Sequence, residues 1–169
     1  NMTGGTFTME TGSSINGNTA SSQGGGVSIN NGEFNMTGGT ISGNRVTSGD
    51  GGGVFVKDTS STFKMSGGTI GGTTDADKNT ASGNGGGVYS TGILTMSGGT
   101  ISRNTATNNG GGVYNTSSFK MTGGTISGNE TTAVNVGSGG GVYNTSSFTM
   151  SGEATISENT SSYYGGGVF

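Results

Sequence analysis

Apolar residues are scarce in this chain, and they recur in one fixed order. A Phe-x-Met triplet comes first, at Phe7/Met9, Phe34/Met36, Phe63/Met65, Leu94/Met96, Phe119/Met121 and Phe148/Met150. A single isoleucine follows, at Ile41, Ile70, Ile101, Ile126 and Ile156, with Ile15 in the same place in the first unit. Each unit closes on Gly-Gly-Gly-Val, which ends at Val27, Val54, Val88, Val113, Val142 and Val168. Alternation within Phe-x-Met sends the two apolar residues to one face and the middle residue to the other, which is the period of a strand. The pattern predicts three short strands per unit, separated by Gly or Asn/Ser turns.

Strands this short make no stable sheet alone. The unit repeats every 25 to 34 residues, and a repeat of that length marks a solenoid whose units are completed by their neighbours. Stacked as coils about 4.8 Å apart, each strand pairs in parallel with its own copy one turn away. Phe then falls on Phe, Met on Met, Ile on Ile and Val on Val. The fold class expected is all-β: a parallel β-helix, or β-solenoid, of about six coils of three short strands each. Residues 1–169 read as one solenoid segment. The chain opens and closes inside a repeat, so the expectation is a piece of a longer protein. Phe7 fits either the end of one short coil or the start of the next.

A polar column accompanies the apolar ones. Asn18, Asn44, Asn104, Asn129 and Asn159 each lie three residues after the core isoleucine, and Asn79 takes that place after the insertion Thr73–Lys78. Stacked amides can exchange hydrogen bonds along the axis and hold the register. Two residues later the chain is small or apolar (Ala20, Val46, Ala81, Ala106), which fits a return to the core.

Composition narrows the function classes. Forty glycines, 26% apolar and 9% charged residues would suit a disordered linker, but the fixed offsets argue for order. No proline interrupts the backbone donors that neighbouring coils need. With no cysteine, disulfides and thiolate metal sites are excluded. A net charge of -3 with six Lys plus Arg weighs against nucleic acid. No apolar run has the length of a membrane span or a signal peptide.

Ile-Ser-x-Asn-x-Ala followed by Gly-Gly-Gly-Val-Tyr resembles the paired FxxN and GGA[ILV] repeats of chlamydial polymorphic outer membrane proteins, and of large adhesin-like surface proteins of other bacteria and some archaea. Ile stands here for the family's Phe, and the third Gly for its Ala. The resemblance spans nearly the whole chain. It implies a right-handed, pectin-lyase-like β-helix exported to the cell surface. The expected role is a non-catalytic extracellular stalk that presents binding surfaces to a host or neighbouring-cell protein or glycan. The alternative is a structural filament or sheath, self-associating end to end or side by side.

Candidate sites lie outside the core. Many β-helices cleave polysaccharides, but glycosidases need paired carboxylates across a cleft, and the nine acids here do not recur at one offset in adjacent coils. No histidine is present, and Arg45 and Arg103 fall in different columns. No catalytic residue and no cofactor is expected. Asp75-Ala-Asp77-Lys-Asn79 begins like a calcium loop, but Thr80 and Gly86 stand where that loop requires Gly and Glu, which leaves a solvated loop. The glycine triplets lack the helix N-terminus that a phosphate cradle needs. An aromatic row follows the inward valines at Phe55, Tyr89, Tyr114, Tyr143 and Phe169. It is either a binding strip for sugar rings or a second solenoid, or cross-strand stacking that shields the sheet. Hydroxyls flank the core isoleucine at Thr40/Ser42, Thr100/Ser102, Thr125/Ser127 and Thr155/Ser157. That ladder resembles the faces of ice-binding solenoids, and equally suits a soluble β-surface. Lengthened corners at Lys57–Thr62, Thr73–Lys78 and Thr132–Ser138 are expected to bulge outward as loops.

Overall fold

A computed structural model describes all residues, Asn1–Phe169, as a parallel β-solenoid of about six coils without a helix. Every strand pairing is parallel and joins a strand to its counterpart one coil away. Three sheets run along the axis. The first holds the Gly-Gly-Gly-Val strands, such as Val88–Ser90 and Val113–Asn115. The second holds both the Phe-x-Met and the Thr-Ile-Ser strands. In two coils these run on as a single ten-residue strand, Ile93–Ser102 and Ser118–Ser127. The third is built of two-residue strands just after the ladder asparagine, such as Thr80–Ala81 and Thr105–Ala106. Each coil therefore carries a fourth short strand where the sequence pattern showed only a return to the core.

The register is that of like on like. Phe7, Phe34, Phe63, Leu94, Phe119 and Phe148 are successive partners, as are Ile15, Ile41, Ile70, Ile101, Ile126 and Ile156. Phe7 starts a coil, because Thr6–Met9 pairs with Glu33–Met36 while Met2–Thr3 pairs with Ile29–Asn30 in the glycine sheet. The Phe, Met, Ile and Val columns are buried together in one continuous core through the inner coils, while Met150 and Val168 of the last coil are exposed. Each such side chain contributes about 1.5–3 kcal/mol by leaving water, which is how so apolar-poor a chain sustains a fold.

The glycine triplet has two local causes. Its first residue has a φ of 60–70° in all six copies, the left-handed region that glycine enters without steric cost. Its third residue leaves no room for a side chain: a Cβ on Gly112 would lie 2.7 Å from the Gly141 carbonyl oxygen and 3.0 Å from the Asn129 amide nitrogen. The alanine of the FxxN/GGA[ILV] repeats would therefore force the coils apart here. Through this stretch the backbone donors reach the next coil one after another, as Gly110 to Ser138, Gly111 to Gly139, Gly112 to Gly140 and Val113 to Gly141.

The asparagine column is a continuous ladder. Each Nδ2 donates to the Oδ1 of the next asparagine: Asn18 to Asn44, Asn44 to Asn79, Asn79 to Asn104 and so on to Asn159, at 2.9–3.0 Å. The second amide hydrogen of Asn44, Asn79, Asn104, Asn129 and Asn159 goes to the core isoleucine carbonyl of the preceding coil. The same Oδ1 also accepts the backbone N–H of the preceding asparagine. Every polar atom of an internal ladder amide is thus satisfied although Asn44, Asn79, Asn104 and Asn129 are fully buried. The insertion Thr73–Lys78 loops out without breaking the column.

A second ladder runs through the residue before four of the six glycine triplets. Asn84 donates from N and Nδ2 to Asp50 Oδ1, Asn109 does the same to Asn84 Oδ1, and Ser138 N donates to Asn109 Oδ1. Its amide-to-side-chain bonds run to the preceding coil, whereas the amide-to-amide bonds of the first ladder run to the following one. A second inward column also lies in the glycine sheet, two residues after each valine. It changes from apolar to polar along the axis: Ile29, Val56, Ser90, Asn115, Asn144. Asn115 Nδ2 donates to Asn144 Oδ1 and to the Ser117 carbonyl, while Ser90 Oγ donates only to the Gly92 carbonyl. The Asn115 Oδ1 is left buried without a partner.

Candidate functional site

The aromatic row forms one stack along the outer side of the glycine sheet. Phe55, Tyr89, Tyr114, Tyr143 and Phe169 follow one another at ring-centroid distances of 4.9–5.1 Å, with planes within 14° of parallel. The coil spacing, about 4.8 Å, sets that distance. Its consequence is that each ring turns its faces onto its neighbours and shows solvent an edge. Sugar stacking needs a free face, so the inner rings offer hydroxyls and edges. Burial pushes the Tyr89 and Tyr114 phenols above their ordinary pKa, and the Asp50 carboxylate adds to the effect in both. Phe55 is itself buried.

The Thr/Ser rows flank the isoleucine column on the second sheet. Thr40, Thr69, Thr100, Thr125 and Thr155 form an unbroken column. The companion column, Ser42, Ser102, Ser127 and Ser157, is interrupted by Gly71, and Ser102 Oγ donates to the Gly72 carbonyl. The hydroxyl lattice is therefore regular along one column and broken along the other.

The lengthened corners do project. Residues 58–61 turn at Asp58, which has a φ of 69°, and Ser61 inside the turn is buried and accepts from the Asn31 N–H. In the second corner, the Asp77 carboxylate accepts from both Thr74 N and Thr74 Oγ1, and these bonds hold its pKa below the usual carboxylate value. The acid of the calcium-like sequence thus closes its own turn. The third corner carries two exposed valines, Val134 at 76% and Val136 at 53% exposure. It is tied from beneath by Ser162, whose Oγ donates to the Ala133 carbonyl and whose N–H donates to Thr131 Oγ1.

The middle residues of Phe-x-Met, turned outward by the alternation, form their own column, Thr8, Asn35, Lys64, Thr95, Lys120 and Thr149. Glu33 bridges two of its members, accepting from Lys64 Nζ at 2.8 Å and from Asn35 Nδ2 at 2.7 Å. The Lys64 bond is the chief reason that the Glu33 pKa is lowered. The signal was present in the sequence as a run of polar residues at one offset.

These features define the class of the protein: a regular parallel β-solenoid with apolar columns and amide ladders inside and hydroxyl, aromatic and loop surfaces outside. No family model, no curated protein and no solved structure matches the chain. No helix of the chain is long and apolar enough to cross a membrane.

Proposed function

We propose that the chain is a rigid, non-catalytic presentation rod in an extracellular, adhesin-like surface protein. The observation that supports this reading is the difference between inside and outside. The inward Phe/Leu, Met, Ile and Val positions repeat coil after coil and are flanked by two side-chain ladders, whereas loop length and chemistry change outward, at residues 58–61, 73–78 and 132–138. Such a body holds surface groups at fixed spacing, so ordering entropy is spent on folding and not on binding. The likeness of its repeats to those of surface proteins, described above, points the same way.

Cell binding tests the reading. Beads carrying the chain are expected to adhere to epithelial or bacterial cells more than beads carrying an unrelated solenoid of similar charge. Equal adherence would remove the adhesive role. Fibres growing from the purified chain with concentration would instead assign it to a filament or sheath.

A further inference from the structure

Three tyrosines stand next to one another in the outward aromatic row. Tyr89 pairs with Tyr114 and Tyr114 with Tyr143, each one coil apart. Their ring centroids are 4.9 Å and 5.0 Å apart, with planes 8° and 4° from parallel. Phe55 closes this group on one side and Phe169 on the other. Identical side chains in register with near-parallel planes set like atoms opposite like. The ring carbons ortho to one hydroxyl therefore face those of the next ring at about the coil spacing of 4.8 Å.

Stacking does not require the hydroxyls. The phenylalanines at the two ends hold the same spacing, Phe55 to Tyr89 at 4.9 Å and Tyr143 to Phe169 at 5.1 Å. What the hydroxyls add is oxidisability. A phenol gives up an electron and a proton under conditions that leave a phenyl ring untouched, and the unpaired spin then sits largely on the oxygen and the two ortho carbons. The three rings are half-buried, so an oxidant reaches their edges while the paired backbone beneath holds them in place. Burial keeps the Tyr89 and Tyr114 phenols protonated beyond the ordinary range. Loss of an electron together with that proton leaves a neutral radical, and no charge then separates two neighbours.

The column also confines the reaction. Phe55 and Phe169 carry no phenol, and Tyr114 is the one tyrosine of the row with a tyrosine on each side. Every bridge between adjacent rings of the row therefore includes Tyr114. The other two of the five tyrosines, Tyr163 and Tyr164, are exposed and form a separate pair. Their centroids lie 3.8 Å apart with planes tilted by 44°, and their hydroxyls are hydrogen-bonded at 3.0 Å. They are the competing site within the chain.

We propose that Tyr114 is an oxidative cross-linking site, joined carbon to carbon with Tyr89 or Tyr143 by a one-electron oxidant of the haem peroxidase and hydrogen peroxide class. Each of the two phenols loses one electron and one proton. The two radicals form one bond between ortho carbons, and the hydrogens displaced from those carbons pass to the phenoxyl oxygens, which restores both phenols. One hydrogen peroxide takes up the two electrons and two protons and becomes two waters. The product is a dityrosine bridge between neighbouring coils, in a chain that has no cysteine for a disulfide. The inference goes beyond the reading of the chain as a presentation rod and does not depend on it.

The test is oxidation of the full chain carrying Tyr163→Phe and Tyr164→Phe, which leaves the three tyrosines of the row, by a haem peroxidase with hydrogen peroxide in dilute solution. Monomer is then separated from cross-linked dimer by size. Trypsin cuts after Lys78, Arg103 and Lys120, so Tyr89, Tyr114 and Tyr143 fall on separate peptides. The oxidised monomer is expected to show dityrosine fluorescence. It should also yield a joined peptide pair, Tyr89 with Tyr114 or Tyr114 with Tyr143, whose mass is the sum of the two less two hydrogen atoms. Adding Tyr114→Phe should abolish both signals in the monomer. Phenylalanine already stands in this column at Phe55 and Phe169, so the substitution keeps the stack, and thermal melting checks that each variant folds. A folded monomer without dityrosine, a bridge that survives Tyr114→Phe, or dityrosine found only between chains would overturn the proposal.

Discussion

Replacing Asn104 by alanine removes a side chain that makes four hydrogen bonds. Nδ2 donates to the Ile70 carbonyl and to Asn129 Oδ1, both at 3.0 Å. Oδ1 accepts from Asn79 Nδ2 at 2.9 Å and from the Asn79 backbone N–H at 3.2 Å. The residue is fully buried, so no water replaces the lost partners. At about 1 kcal/mol for each bond the cost is about 4 kcal/mol, a large share of the 5–15 kcal/mol that ordinarily separates folded from unfolded chains. Asn18, at the exposed end of the same ladder, donates one side-chain bond, to Asn44 Oδ1. Its replacement by alanine should cost about 1 kcal/mol. Asn104→Asp sharpens the comparison, because it is nearly isosteric and keeps both acceptor contacts. It loses both donations and sets a carboxylate against the Ile70 and Asn129 oxygens, so it should be at least as harmful as alanine at neutral pH. Burial raises the pKa of such an acid, so the folded state then binds more protons than the unfolded state. The Asp variant should therefore recover stability as pH falls through that raised value. Urea unfolding followed by circular dichroism measures all three. Equal midpoints for Asn104→Ala and Asn18→Ala would refute the claim that the ladder's bonds hold the coils together.

Three other expectations use the same reasoning. Ser90→Asn places an amide where it can donate both to the Gly92 carbonyl and to the orphaned Asn115 Oδ1; a gain of about 1 kcal/mol is expected in urea unfolding, and a loss would mean that the Val56 side of the column has no room. Arg103 has a φ of 55° at the offset where Gly17, Gly43 and Gly128 stand with φ of 63–65°. Arg103→Gly should raise the melting temperature by relieving up to about 1 kcal/mol of left-handed strain net of glycine's own entropy; an unchanged or lower melting point contradicts this. Tyr89 and Tyr114 keep their protons in the folded chain above the ordinary value of 10.0. The stability they confer is complete below that value and is lost as pH rises through their raised folded values, which spectrophotometric titration at 295 nm (the phenolate band, ~295 nm) combined with urea unfolding at each pH measures.

Much of the fold was legible because a solenoid writes its contacts into the sequence at one period. Phe34 announces Phe63 as its partner simply by standing one repeat away, and Asn79 could be assigned to the ladder across an insertion for the same reason. The second ladder was legible in principle, since Asp50, Asn84, Asn109 and Ser138 share one offset before the glycines. It is masked there because the four side chains differ and because the adjoining glycines already account for the corner by conformation alone. The inward role of Ser90 and Asn115 was hidden by their polarity, which ordinarily marks an outward residue. The candidate surfaces were found as columns in the sequence, but their accessibility was not, since a column says which residues align and nothing about which atoms they present.

Repetition by itself determined the parallel β-solenoid, the like-on-like core, the first asparagine ladder and the sites of the projecting loops. These follow from sequence period alone, because neighbouring coils are the only partners each strand has. Tertiary structure decided what depends on direction and distance. It joined the Phe-x-Met and Thr-Ile-Ser strands into one sheet, and it set the two ladders running in opposite senses. It closed the aromatic faces onto one another, and it left a shallow groove beside Lys64. The physical reason is that side-chain orientation, ring stacking and groove shape are set by how the backbone turns between coils, a three-dimensional property that a one-dimensional period does not carry.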